Sequence, residues 1–139
     1  MRMIPALLAL LTGLLTAVAV SAQDDVPIFD NYLSLRAVLD AQMKNRDIAE
    51  VMTTFGGSSP PEELEALEAR VREIFPRDFE NAALLRRNEM ENGWRQELIA
   101  YWTGIDYIYV YLLLHDRDEG LLSVTMRFNT DFDELNAAF

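Results

Sequence analysis

The chain has 139 residues, with 23 acidic against 12 basic side chains, one histidine and no cysteine, and its formal net charge is −11. That length holds one ordinary domain rather than two. The charge argues against nucleic acid and against anionic membrane surfaces, which require a basic face, and the missing thiols exclude disulfides, thiolate metal sites and cysteine nucleophiles.

Residues 1–22 read as a signal peptide. Arg2 supplies the positive start, an apolar stretch runs from Ile4 to Val20, and Val20-Ser21-Ala22 forms the cleavage site before Gln23-Asp24-Asp25. The apolar run is short for a membrane span, so no stable membrane insertion is expected once it is removed. The expected location is exported, periplasmic or secreted. Loss of Arg2 leaves 11 basic residues against 23 acidic ones, a charge of −12. Residues 23–139 are expected to form a single α+β domain, helical over about 30–75 and a β-meander over about 79–128.

Asp30 or Asn31 can cap a first helix running to about Lys44, with Tyr32, Leu35, Leu39 and Met43 on one face. Asp47-Ile48-Ala49-Glu50 has the form of a capping box opening a short second helix, which Gly56-Gly57 stops. One bent helix over 31–55 is the alternative. Ser59-Pro60-Pro61-Glu62 starts a third helix, whose stripe is Leu64, Leu67, Val71, Ile74 and Phe75; Pro76 ends it.

Beyond Pro76 the apolar period changes to that of strands. Four are expected: Phe79 to Met90, Trp94 to Trp102, Tyr107 to His115 and Leu121 to Phe128. Their turns are Asn92-Gly93, Thr103-Gly104 and Asp118-Glu119-Gly120. Asn129 or Thr130 can cap a last short helix with Leu135 and Phe139 as its apolar contacts.

Alternate residues of a strand point to opposite faces. Ile108, Val110, Leu112 and Leu114, matched by Leu122, Val124, Met126 and Phe128, make a uniformly apolar set; Trp94, Leu98, Ala100 and Trp102 are expected to share it and pack under the helices. The opposite set carries Tyr107, Tyr109, Tyr111 and His115 with Arg127, and Arg95, Glu97 and Tyr101 are expected beside them. Phenols suit a surface that is dry on one side and wet on the other. Arg95, Tyr101, Tyr107, Tyr109, Tyr111 and Arg127 are therefore the expected contact residues for an unknown protein or small-molecule partner, or for a homodimer formed sheet to sheet. The competing reading is a solvated sheet that uses tyrosine for its strand propensity.

His115 is the one candidate for acid–base chemistry, but its neighbour Asp116 points the other way along the strand. A single histidine without cysteine makes no ordinary zinc site. Asp116-Arg117-Asp118-Glu119-Gly120 lacks the distal glutamate of a calcium loop, and Asn129 to Glu134 is more simply a helix start. No cofactor and no metal is implied.

Helices followed by an antiparallel meander over residues 31–128 resemble, in architecture, the cone-shaped domains of the cystatin and nuclear-transport-factor-like (NTF2-like) groups. The resemblance implies a helix across the concave face of a sheet and a pocket between them; its enzymes place a His–Asp pair inside the cone. The expectation is an exported, non-catalytic binding or protein-interaction module using the Tyr/Arg-rich sheet face. The alternative is a small-molecule enzyme or carrier with a cone pocket using His115 and a carboxylate.

Overall fold

The computed structural model of the chain describes residues 26–139; the expected signal peptide, residues 1–22, lies outside them. The element order is β1 (Ile28–Phe29), α1 (Tyr32–Lys44), α2 (Ile48–Thr54), α3 (Pro61–Ile74), β2 (Asn81–Glu89), β3 (Trp94–Thr103), β4 (Asp106–Arg117), β5 (Gly120–Asn129) and α4 (Phe132–Asn136). The α+β class and the order of helices, antiparallel meander and short final helix are as the sequence implies. The sheet has five strands rather than four, in the order β1-β5-β4-β3-β2. The extra strand is the two-residue β1, too short to leave a period-two signature. It pairs Ile28 with Leu122 and Phe29 with Leu121. Gly120 makes room for it: a Cβ there would fall 2.5 Å from the Phe29 carbonyl oxygen, and its φ is +141°.

Among the helix starts, one expectation holds and three are replaced. Asn31 caps α1, its Oδ1 accepting the Ser34 N–H at 2.8 Å. The Asp47 side chain makes no capping bond to α2; it pairs with Arg72 of α3 at 2.9 Å instead. The cap position of α3 is Pro60, not Ser59. α1 and α2 are separate helices, because Arg46 between them takes a left-handed φ of 58°. Its guanidinium then reaches the Phe75 carbonyl and Asp78. α4 is capped by Asp131, whose carboxylate accepts the Asp133 N–H, rather than by Asn129 or Thr130.

The main core lies between α1–α3 and one face of the sheet. Leu35, Leu39 and Met43 of α1 meet Ile99, Val110, Leu112 and Leu114, all at 0% exposure. At roughly 25 cal/mol per Å2 of apolar surface, burying each such side chain stabilises the fold by about 1.5–3 kcal/mol.

The composition of that face corrects the expected one. The β3–β4 turn has two residues, Gly104 and Ile105, so Thr103 faces Asp106 and every odd residue of β3 faces an even residue of β4. Directly opposed residues share a face. Arg95, Glu97, Ile99 and Tyr101 therefore lie with Ile108, Val110 and Leu112 under the helices, and Trp94, Leu98, Ala100 and Trp102 lie with the tyrosines of β4. β5 shifts similarly. A bulge opposite Leu113 and Leu114 makes Leu114 face Ser123 while Leu112 faces Met126. Met126 and Phe128 keep the core side, but near the turn it is Leu121 and Ser123 that are buried. Val124, expected in the core, is the extra residue and stands 42% exposed.

α4 packs on the other face of the sheet. Leu135 joins Leu98 and Tyr111 in a second buried cluster, with Tyr109, Leu113 and Phe139 against it. The tyrosine face is thus part covered and part open.

Candidate functional site

Tyr32, Arg36 and Asp40 recur every fourth residue on α1, so they form a row along one side of the helix. The inverted phase of β3 turns Arg95, Glu97 and Tyr101 toward that row. Glu97 is completely buried. Its Oε1 accepts the Tyr32 hydroxyl at 2.7 Å and its Oε2 accepts Arg87 Nε at 2.9 Å. Arg95 Nε lies 3.2 Å from Oε2 but out of line for a hydrogen bond, so that contact is Coulombic. Arg36 donates to the Tyr32 hydroxyl at 2.9 Å and pairs with Asp40 at 3.1 Å; Asp40 also accepts the Tyr101 hydroxyl at 2.7 Å. The guanidiniums of Arg95 and Arg87 stand 4.7 and 5.0 Å from the Tyr32 ring centre.

These contacts shift the titrations in one sense. Burial, then the bond to Asp40, pushes the Tyr101 phenol far above its ordinary value. Burial and the Glu97 bond raise Tyr32. Burial opposes the Arg36 charge, but the bonds to Tyr32 and Asp40 carry its pKa above the usual value. Tyr32, Arg36, Asp40, Glu97 and Tyr101 all hydrogen-bond within this set, and Arg95 joins it through its charge alone. Such a network holds α1 against the sheet; both oxygens of Glu97 accept bonds inside it and the side chain has no exposed surface, which closes it to an incoming reactant. Where the row reaches the surface, Arg95 borders a recess of about 300 Å3 with Asp30, Asn31, Tyr32, Asp116 and Leu121.

Of the six expected contact residues, the structure brings four together and separates two. Arg95 and Tyr101 belong to the network under α1, and Tyr101 has no exposed surface. Tyr107, Tyr109, Tyr111 and Arg127 share the far face. Tyr111 is covered: its ring meets Phe139 edge-on at 5.7 Å, its hydroxyl accepts Gln96 Nε2 at 3.0 Å, and the Arg127 guanidinium lies 5.0 Å from the ring centre.

What stays open is a strip at the Gly104 end of the sheet. Trp102 and Tyr107 stack at 5.9 Å, Tyr107 and Tyr109 at 6.3 Å with planes 6° apart, and Phe132 meets Tyr109 edge-on at 5.6 Å. Tyr107 is 42% exposed, Phe132 37% and the neighbouring turn residue Ile105 89%. Trp102 and Phe132 were absent from the expected set. The phase of β3 brings Trp102 to this face opposite Tyr107, and Phe132 has no strand partner to announce it.

His115 stacks on Trp94 at 4.2 Å with planes 10° apart, and its Nε2 bonds the Asn92 carbonyl at 3.0 Å. It lies on the face away from α1–α3, and no described carboxylate hydrogen-bonds it. Among the described residues no group of three or more His, Asp or Glu side chains is disposed to hold a metal ion.

No family model matches this chain, and no curated protein or solved structure is significantly similar to it.

Proposed function

We propose that the chain is an exported, non-catalytic interaction module and that its contact surface is the open aromatic strip of Trp102, Tyr107, Tyr109 and Phe132. The observation that carries this reading is the strip itself: a continuous set of rings, two of them more than one third exposed, bordered by α4, which contributes Phe132 and packs against Tyr109. Aromatic side chains concentrate at interface centres because they bury large area for little conformational entropy. The groups able to do acid–base chemistry under α1 are engaged with one another, which favours binding over catalysis. The relation to the cone-shaped cystatin- and NTF2-like domains belongs to the same proposal; it rests on helices over an antiparallel sheet and carries no activity with it.

The test is a pair of variants of the mature chain, Trp102→Ser and Tyr107→Ser, compared with Tyr101→Ser. The first two should weaken self-association in sedimentation, or capture of an envelope partner, by tenfold or more. Their melting points should stay within about 2 °C of the parent, as expected of surface positions. Tyr101→Ser should unfold the domain, since its ring is in the core. Association unchanged in both strip variants would sink the proposal.

A further inference from the structure

On the opposite face, α3 leaves a gap above the β4 and β5 end of the sheet. Beyond Leu122, no strand among the described residues lies on the outer side of β5, and the gap forms a groove of about 290 Å3. Its walls are Leu67, Val71 and Ile74 from α3, Phe75 directly after it, and Ile108 and Phe128 from the sheet. Val71 and Phe75 are buried, but Ile74 stands 56% exposed at the mouth. The polar rim is Arg70 with Asn129 and Thr130.

Arg70 is one of four described arginines outside an ion pair and the one that borders this groove; of the other three, Arg86 bonds Asn136 and Arg127 lies over the Tyr111 ring. Arg36, Arg46, Arg72, Arg87, Arg95 and Arg117 all pair with carboxylates. Arg70 makes no ion pair among the described residues, although acidic side chains outnumber basic ones about two to one. A lone guanidinium beside an apolar trough offers a charge-assisted bond next to low-dielectric walls, a combination that selects an anionic head on an apolar tail.

We propose that this groove binds a small amphiphilic monocarboxylate, with its alkyl tail along Leu67, Ile74 and Phe128 and its head at Arg70 and the Thr130 hydroxyl. At roughly 30 Å3 per non-hydrogen atom, the share of one water in the liquid, the groove has room for at least about ten such atoms, enough to seat octanoate as a probe. A ligand of ten atoms binds with a Kd on the order of 0.1–1 mM. The site is independent of the aromatic strip, which lies on the other face of the sheet.

The experiment is titration of the isotope-labelled mature chain with octanoate, octanol and octyltrimethylammonium, followed by amide chemical shifts. Octanoate is expected to give saturable shifts centred on Arg70, Ile108, Asn129 and Thr130. Octanol should bind several-fold more weakly and the ammonium not measurably. Arg70→Gln should weaken octanoate about tenfold and leave octanol unchanged, whereas Ile74→Asn should weaken both. The outcomes that overturn the proposal are no saturable shift with octanoate up to 10 mM (about ten times the weakest expected Kd), equal affinity for octanoate and octanol, an Arg70→Gln effect under twofold, or shifts centred elsewhere. Both variants lie on exposed positions, and an unchanged melting point separates lost binding from lost fold.

Discussion

Replacing Glu97 by alanine removes the one acceptor shared by Tyr32, Arg87 and Arg95 and leaves a void beneath α1. Taking one partner from a buried ion pair costs about 3–5 kcal/mol, because the charge left behind keeps its desolvation penalty. Here the abandoned guanidiniums retain 36% and 20% side-chain exposure, so water recovers part of their hydration and the lower end, about 3 kcal/mol, applies. In a domain of this size each kcal/mol moves the melting point by about 4 °C, so Tm should fall by about 12 °C. Glu97→Gln keeps an acceptor for the Tyr32 hydroxyl and should lose about half as much. Replacing Glu97, Arg87 and Arg95 together with leucine or methionine should recover most of the stability, since an apolar substitute for a whole buried pair is often neutral. Thermal and urea unfolding followed by circular dichroism read all three, with an unchanged urea m-value as the check that compactness is kept. A Glu97→Ala protein melting within 3 °C of the parent would refute the reasoning; the arginines would then be held by their stacking on the Tyr32 ring and the carboxylate would contribute nothing net.

Tyr101→Phe keeps the buried ring but leaves Asp40 with Arg36 alone, and should cost about 1–2 kcal/mol in urea unfolding; no loss would mean the 2.7 Å bond is energetically empty. Leu135→Ala should cost about 2–3 kcal/mol and make Tyr111 accessible to solvent quenchers, whereas a change under 0.5 kcal/mol would show that α4 does not hold its place on the sheet. Tyr32 and Tyr101 bind their protons more tightly folded than unfolded, so the folded chain carries more protons above the unfolded tyrosine pKa of about 10. The stability they lend is complete below that pH and is lost as pH climbs past it, at about 1.4 kcal/mol per pH unit for Tyr101. Ultraviolet titration should show Tyr101 ionising only as the domain unfolds and Tyr32 ionising above the usual tyrosine range; ionisation of both at the ordinary value in the folded chain would contradict their buried bonds.

Much of the architecture was legible because it is local. The i, i+4 spacing of Leu35, Leu39 and Met43 fixes which side of α1 is buried, and the alternation of Ile108, Val110, Leu112 and Leu114 does the same for β4, whatever lies above them. The positive φ that Asn92 and Gly93 tolerate places the β2–β3 turn where the sequence says. The candidate site was legible only in part. Tyr107, Tyr109 and Arg127 share a face as their parity requires, but Arg95 and Tyr101 do not join them. The phase of one strand against its neighbour is set by the turn between them; the sequence locates that turn near Thr103-Gly104, but only the pairing of Thr103 with Asp106 across Gly104 and Ile105 settles which face each side chain of β3 takes.

What the sequence determined by itself is the set of segments, their periods and the apolar identity of each face taken one element at a time. The tertiary structure decided which faces meet. A bulge at Val124, a two-residue strand on the edge of β5 and the return of Leu135 onto Tyr111 depend on residues far apart in the chain. Their energies arise only when those residues are in contact, so no local window of sequence carries them. For the same reason a glutamate inside an apolar run reads as a surface residue until Tyr32 and Arg87, 65 and 10 positions away, arrive to bury it.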